Sequence, residues 1–540
     1  MSTSPGPDVA VPGVADVVDV VVVGSGPVGT AVARELADGG SGVRVLVLEA
    51  GQPLGEPAGG HVKNIADAAA RDAVLAALAT GPGPLPGGTP ARPGTTLVGA
   101  PDMPNAAVST NVGGMGAHWT AACPRPADDE VPGCVDPAVL DEALTRAEQL
   151  LAVTTHAFDR APLTGAVQQV LGELFDRPQR RPAGPMPVAV TVGEDGSLHW
   201  TGPAIVAGDL WDRPDVELRT GTLARRLLRD GDRVTGVEAV DLSSGRRYAI
   251  GARAVVVAAD AFRTPQLLWA SGIRPGALGR YLTEHPQVMA ASLLDERHVP
   301  ADAPVDADLP VTAAAAPGGG AIVPVSGVSW VPYAADRPFH GQVMQMDASP
   351  VPLDPGVAVR PGQVVGLGWF CRKELSPDNR VWFDEDAADE HGLPAIRIAY
   401  ALSDADRASV AAAVEEVGAA ARALGRPLGE PFVMPPGSSL HYLGTTRMGR
   451  ADDGTSVCDP AGRVWGTENL YVGGNNVIPT ATACNPTLTA VALGVLTARA
   501  VAAQLAAQLA AQPAIQPATP PATPAAAQPA PSPVAEEAHA

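Results

Sequence analysis

The run DVVVVGSGPVG, from Asp19 to Gly29, constrains the fold of this 540-residue chain more than any other segment. Asp19 to Val23 reads as a buried parallel strand, Val28 to Asp38 as a helix and Val43 to Leu48 as a second strand, which together make a β-α-β unit. Glycines at 24, 26 and 29 allow a tight turn and close backbone approach. A pyrophosphate can then rest on the helix N-terminus, where free amides and the helix dipole favour negative charge. Glu49 ends the second strand twenty residues beyond Gly29, where an acid reaches a ribose hydroxyl. Gly24, Gly26, Gly29 and Glu49 are therefore expected to hold a dinucleotide.

The ending Leu48-Glu49-Ala50-Gly51 is of the kind that FAD-binding oxidoreductases carry. Later segments are expected to return to the same sheet. Ala254 to Ala258 is fully apolar, and Phe262 to Ser271 follows as a helix. Before it, Val216 to Arg219, Ala224 to Arg229 and Val234 to Leu242 alternate like strands, with Asp230-Gly231-Asp232 as a turn. Between 290 and 437 the strands Val364 to Phe370, Arg380 to Phe383 and Ile396 to Tyr400 and a helix at about Asp404 to Leu424 suggest a second domain on an antiparallel sheet.

The domain plan is therefore a nucleotide-binding domain in three pieces, 16–125, 203–289 and 438–510. A helical or loop insertion at 126–202 and a substrate domain at 290–437 interrupt it. Residues 52–104, crowded with Gly and Pro, read as an irregular excursion or a cover over the active site. Residues 1–15 and 511–540, rich in Pro, Gly, Ser and Ala, are expected to be disordered.

Composition narrows the function. A net charge of −21 disfavours nucleic acid and anionic membrane as partners. No apolar stretch is read as reaching the roughly 18 residues of a membrane span. The N-terminus carries no export signal, so the cytoplasm is the expected compartment. Five scattered cysteines without a CxxC pair argue for reduced thiols, against a disulfide framework and against a metal site.

Two late segments carry the chemistry. His441 stands in SLHYLGTTRMG, and a neutral imidazole can take an alcohol proton while the adjacent carbon gives up a hydride. Asn485 precedes Pro486 and Thr487 at the start of an apolar helix running to about Leu505. Asn followed by Pro is an ordinary helix cap, and it is also a way of pointing a helix N-terminus at the anionic edge of a reduced flavin. Gln345 and Asp347, two apart in HGQVMQMDASP, would share one strand face as a donor and acceptor pair for sugar hydroxyls. An exposed sheet face explains them equally well.

Taken together, GSGPVG at Gly24, GGMGAHWTAACPRP at Gly113, ELSPDNRVWF at Glu374, LHYLGTTRMG at Leu440 and NLYVGGNNVIPTATACNPTLTA at Asn469 resemble the glucose-methanol-choline (GMC) oxidoreductase superfamily. Within it, the chain is most similar to pyranose oxidases and bacterial glycoside 3-oxidases. The resemblance implies a Rossmann-like FAD-binding α/β domain, of the GMC and p-hydroxybenzoate-hydroxylase type, with an antiparallel-sheet substrate domain. His441 then corresponds to the catalytic base and Asn485 to its partner. His118, Trp119 and Thr120, with Asn485, Pro486 and Thr487, fall at the flavin. His118 matches the residue that links FAD covalently in fungal pyranose oxidases. The hydroxyl residues found before it there are Gly116 and Ala117 here, so tight binding without the covalent bond is expected, with a covalent link through His118 as the alternative.

The implied reaction is oxidation of a secondary ring alcohol, at carbon 3 of a glycoside including C-glycosides, with oxygen reoxidising the flavin to give hydrogen peroxide. The alternatives are oxidation of free glucose at carbon 2, a sugar dehydrogenase passing electrons to a quinone or carrier, and a non-redox flavoprotein.

Overall fold

The structure is a computed structural model describing residues 16–40, 42–67, 69–71, 73–74, 96–161, 163–299, 325–346 and 362–510. The ends 1–15 and 511–540, residues 75–95 of the expected excursion, and Asp347 lie outside the described residues.

Strand β1 (Asp16–Val23) leads through a glycine turn into helix α1 (Pro27–Asp38), and the chain returns as strand β2 (Val45–Leu48) beside β1. Val20, Val21 and Val22 are fully excluded from solvent. A parallel strand covered on both faces needs such an unbroken β-branched run, and each buried side chain contributes roughly 1.5–3 kcal/mol. β3 (Val216–Arg219) extends the parallel set from β2.

Strands β4 (Thr222–Asp230) and β5 (Arg233–Asp241) form the expected hairpin. Its two-residue loop starts at Gly231 with φ +59°, the left-handed conformation a tight hairpin turn asks of its first residue. β6 (Arg247–Val257) joins the two halves of the sheet. Its first residues pair antiparallel with β5, and from Ile250 onward it pairs parallel with β1, Asp16 opposite Ile250 and Val23 opposite Val257. The sheet order is β4-β5-β6-β1-β2-β3, and the short strand Leu470–Val472 adds to β6 beyond the end of β5. Segments more than 200 residues apart thus share one sheet.

The helix Thr487–Ala510 packs against α1 and against the helix Pro137–Leu151. Contrary to the sequence reading, Thr487–Ala510 is long and apolar enough, by length and composition, to cross a membrane. Interspersed Thr, Arg and Gln disguise that in the sequence. Leu488, Val491, Leu493, Val495, Val501 and Leu505 are buried in the core instead.

The second sheet is antiparallel. β7 (Gln287–Leu294), β8 (Val325–Val331), β9 (Phe339–Met346) and β10 (Val364–Cys371) stand in the order β7-β10-β9-β8, with Gly425–Pro427 at one edge and Gly184–Pro185 at the other. Val288, Ala290, Leu294, Val343, Leu367 and Trp369 pack against the helices Thr164–Phe175 and Asp404–Leu424. Ser403 starts the second of these helices through a capping box with Asp406. By the period of two, the alternate residues Gln287, Met289, His340, Gln342, Gly368 and Phe370 take the other face.

The glycine turn sets up a test of this packing. A Cβ on Gly29 would lie 2.0 Å from the Gly24 carbonyl oxygen, a backbone atom that cannot rotate away. Gly29→Ala is expected to destabilise the protein by roughly 3 kcal/mol, read as a lowered midpoint in thermal or chemical denaturation. A Cβ on Gly26 meets nothing within 4 Å, so Gly26→Ala should leave the midpoint in place.

Candidate active site

One cavity of about 300 Å³ is lined by Gly24, Ser25 and Gly26, by Glu49, by His118, Trp119 and Thr120, and by His441, Asn485 and Thr487. It therefore joins the dinucleotide motif to the His/Asn pair. The three motif glycines divide the work. Gly24, at φ +102°, presses against the Ala258 carbonyl, and Gly29 presses against Gly24, so these two let β1, β6 and α1 meet closely. Gly26 is the N-cap of α1, with Pro27 at its first helical position, and its missing side chain leaves open space. A pyrophosphate on the first amides of α1 fits that space, whereas Gly29 is not among the lining residues.

Glu49 is buried and holds the turn by both oxygens. Oε2 accepts from the Ser25 N–H at 3.1 Å and from Ser25 Oγ at 2.7 Å, and Oε1 accepts from the Gly51 N–H at 2.8 Å. Burial pushes its carboxyl above the usual range, opposed by those donors. Three bonds leave about one of four lone-pair positions for a ribose hydroxyl. The residues present thus fit a dinucleotide at both its pyrophosphate and its ribose.

The 113–118 turn covers the cavity from another side. Gly113 donates its N–H to Ser25 Oγ at 3.0 Å, and a Cβ on Gly116 would collide with Pro27. His118 Nε2 is 2.8 Å from Ser109 Oγ, so a hydroxyl reaches it from another part of the chain. Trp119 donates Nε1–H to the Thr201 carbonyl at 2.7 Å, and His61 Nε2 faces the Trp119 carbonyl at 3.0 Å. Burial and Lys63 hold the His61 pKa down to about 3.

At the other end, Asn485 Nδ2 lies 3.4 Å from His441 Nε2. The helix begins at Thr487, and the first carbonyl taken up is that of Pro486, which accepts from the Ala490 N–H. Asn485 therefore stands outside the helix and does not cap it; its Oδ1 has no hydrogen-bond partner. Pro486 serves the helix start and is not among the cavity residues. His441 Nδ1 is 3.1 Å from Nδ1 of His285, whose Nε2 is 3.1 Å from Thr482 Oγ1, and Phe370 stacks 5.3 Å from the His441 ring. Burial alone lowers the His285 pKa to about 3.

Two buried carboxylates hold the segments that carry Asn485 and His441, and neither has a local signature in the sequence. Glu130 Oε1 accepts the N–H groups of Ala483 and Cys484 at 2.7 and 3.0 Å, immediately before Asn485. Glu284 binds the Gly437 and Ser439 amides and the Ser439 hydroxyl, just before His441.

Gln345 is not brought to this site. It lies on the helix side of β9, where its Oε1 accepts from Thr164 Oγ1 at 2.9 Å, because the period of two turns odd-numbered residues of β9 away from His441. The even-numbered polar residues of that strand, His340 and Gln342, take the face that carries Phe370 instead. His340 Nε2, Gln342 Oε1 and, on β7, Gln287 Oε1 are buried without a hydrogen-bond partner. The sequence shows these residues but not their face, because both sides of β9 are buried.

All five cysteines are free, and four of them are buried.

Comparison with known proteins agrees with this architecture. The sequence matches the model of the GMC oxidoreductase family over residues 206–287 and 376–494. It is 48% identical to the C-glycoside 3-oxidase of Arthrobacter globiformis over 510 residues, covering 90% of this chain and 95% of that protein. It is 31% identical to the pyranose 2-oxidase of Tricholoma matsutake, covering 90% of this chain and 93% of that one. Among solved structures, pyridoxine 4-oxidase shares the fold at a TM-score of 0.59 and 17% identity, over 89% of this chain and 99% of the other. The chain belongs to the GMC oxidoreductase family, and its cofactor is FAD.

Proposed function

We propose that this protein oxidises a secondary ring alcohol of a glycoside at carbon 3, with C-glycosides as preferred substrates and oxygen as electron acceptor, and that it works in the cytoplasm. The observation that carries the reading is the meeting of His441 and Asn485 at the end of the cavity that begins at Gly26 and Glu49. The substrate class follows from the relative called C-glycoside 3-oxidase, which spans nine-tenths of this chain.

Bound FAD supplies the hydride acceptor and, through oxygen, the route to hydrogen peroxide. The chain supplies the rest. His441 Nε2 takes the hydroxyl proton as the carbinol C–H bond breaks, and the Asn485 amide donates to the same oxygen, holding it beside the base. The apo distance of 3.4 Å between the two leaves room for an alcohol oxygen to bridge them. His340 Nε2, Gln342 Oε1 and Gln287 Oε1 are unsatisfied polar atoms on the sheet face that carries Phe370, and Asn485 Oδ1 is unsatisfied beside His441. A ring bearing several hydroxyls suits such a wall, because each hydroxyl both donates and accepts. His118 lines the same cavity, and FAD would be held beside it without a covalent bond.

Anaerobic mixing of the yellow protein with free sugars and with O- and C-glycosides tests this assignment. A C-glycoside should bleach the flavin, and air should restore the colour with release of peroxide and a 3-keto product. Bleaching only by free glucose, with a 2-keto product, would replace the assignment with a pyranose 2-oxidase, and bleaching that air does not reverse would make the protein a dehydrogenase. His441→Ala should keep the flavin spectrum and slow bleaching by about two orders of magnitude or more. Gly26→Val should fold and fail to retain FAD, since a Cβ there meets no protein atom within 4 Å and the side chain enters the pyrophosphate space. Acid precipitation of the wild type should leave the yellow colour in the supernatant; colour in the pellet would show a covalent link.

A further inference from the structure

The segment carrying His285 takes no part in the reaction above, yet it meets the His441 segment repeatedly. Thr283 and Leu443 exchange backbone hydrogen bonds at 3.2 and 3.0 Å, and the Gly279 N–H donates to the Thr445 carbonyl at 2.7 Å. The Ser439 hydroxyl, which donates to Glu284, accepts the N–H of His441 at 3.2 Å. Between these contacts Leu440 sits at φ +60°, an unfavourable conformation for a branched residue that the surrounding bonds must maintain.

Two imidazole nitrogens 3.1 Å apart share one proton, so one donates and the other accepts. His285 is fully buried and stays neutral, so it has one N–H to give. On the far side of His441, Nε2 faces the Asn485 Nδ2, a group that only donates. Nε2 is therefore the accepting nitrogen, and Nδ1 carries the hydrogen. The donors then run in one direction: Asn485 Nδ2–H to His441 Nε2, His441 Nδ1–H to His285 Nδ1, and His285 Nε2–H to Thr482 Oγ1.

We propose that Glu284, His285 and Thr482 are the positioning residues of His441, with Glu284 fixing its backbone and the His285–Thr482 pair fixing the tautomer that leaves Nε2 open to the substrate proton. The inference rests on the reading of His441 as the base. When the proton arrives, the imidazolium is stabilised because its Nδ1–H already donates to a neutral acceptor. The proton remains on His441, since burial keeps His285 from taking a charge. Among the described residues, titratable groups near the pair include His340, beside Asn485 and likewise held neutral by burial, and Glu284, engaged by three donors.

The test uses full-length, FAD-loaded protein with two substitutions. His285→Phe keeps a ring and removes the acceptor, whereas His285→Asn places an amide oxygen where Nδ1 stood. Nitrogen-15 NMR of histidine-labelled protein, with His441 assigned by its loss in His441→Ala, should show Nδ1 protonated and Nε2 bare in the wild type. In His285→Phe the His441 signals should move toward the Nε2–H form. Anaerobic flavin reduction should slow by about tenfold to a hundredfold, the usual cost of losing a partner that orients a functional histidine. The acid limb of its pH profile should shift to lower pH, because an imidazolium without its acceptor loses its proton more readily. His285→Asn should restore both the tautomer and the limb.

An unchanged tautomer and acid limb in His285→Phe, or an Nε2–H form in the wild type, would overturn the proposal. If the Phe variant does not fold, Thr482→Val should move the NMR signals in the same direction, and unmoved signals would overturn it equally. If no glycoside reduces the wild-type flavin, the proposed function fails while the NMR result still decides the tautomer.

Discussion

The parallel register of β1 with the last residues of β6 governs where everything else in this molecule lies. Val20 to Val23 align with Ala254 to Val257, and that alignment places Gly24 against the Ala258 carbonyl. The driving force is burial of an apolar run on both faces, which is strong and non-directional. The specificity comes from the glycine, because a Cβ at position 24 would sit 2.4 Å from the Ala258 oxygen. Once the register is set, the N-terminus of α1, the Leu470–Val472 strand and the segment leading to Asn485 are brought to one edge of the sheet.

How much of this was legible in the chain depends on how local the signal is. The β-α-β unit, the hairpin at Gly231 and the helix after Ser403 each carry their own start, stop or turn residue, and each forms where the sequence places it. Asn485 shows the limit of local rules. Asn followed by Pro reads as a cap, yet the helix starts one turn position later and the amide points to His441. Gln345 shows a second limit. In β9 almost every side chain is buried, so alternation carries no polarity contrast, and the strand face can be assigned only through its partner β10. His285, Glu130 and Glu284 show a third. Their meaning lies in contacts 153 to 354 residues away along the chain, and no window of sequence contains both partners.

The site is also unusual in how it manages polarity. It buries His61, His285 and His340 in neutral form, and it buries Glu130 and Glu284 only where backbone amides meet them. Backbone amides and hydroxyls thus meet the buried carboxylates, and fixed dipoles surround the His441 imidazole. A low-dielectric setting of this kind strengthens every hydrogen bond that is made and penalises every one that is not. It suits a reaction in which one proton and one hydride leave the same alcohol.

The pairing of α1 with the helix Thr487–Ala510 has a wider meaning. Val28 fits against Gly494 so closely that a Cβ there would stand 2.8 Å from the valine methyl. One of these helices presents the pyrophosphate turn at its start, and the other begins beside Asn485. The span between the two ends of the cofactor chamber is thus gauged by a rigid interface of two helices and not by any loop. The antiparallel sheet opposite carries none of that responsibility. Its strands supply the polar face of Gln287, His340 and Gln342 instead, so the length of the chamber and the chemistry of that face are set by separate parts of the fold.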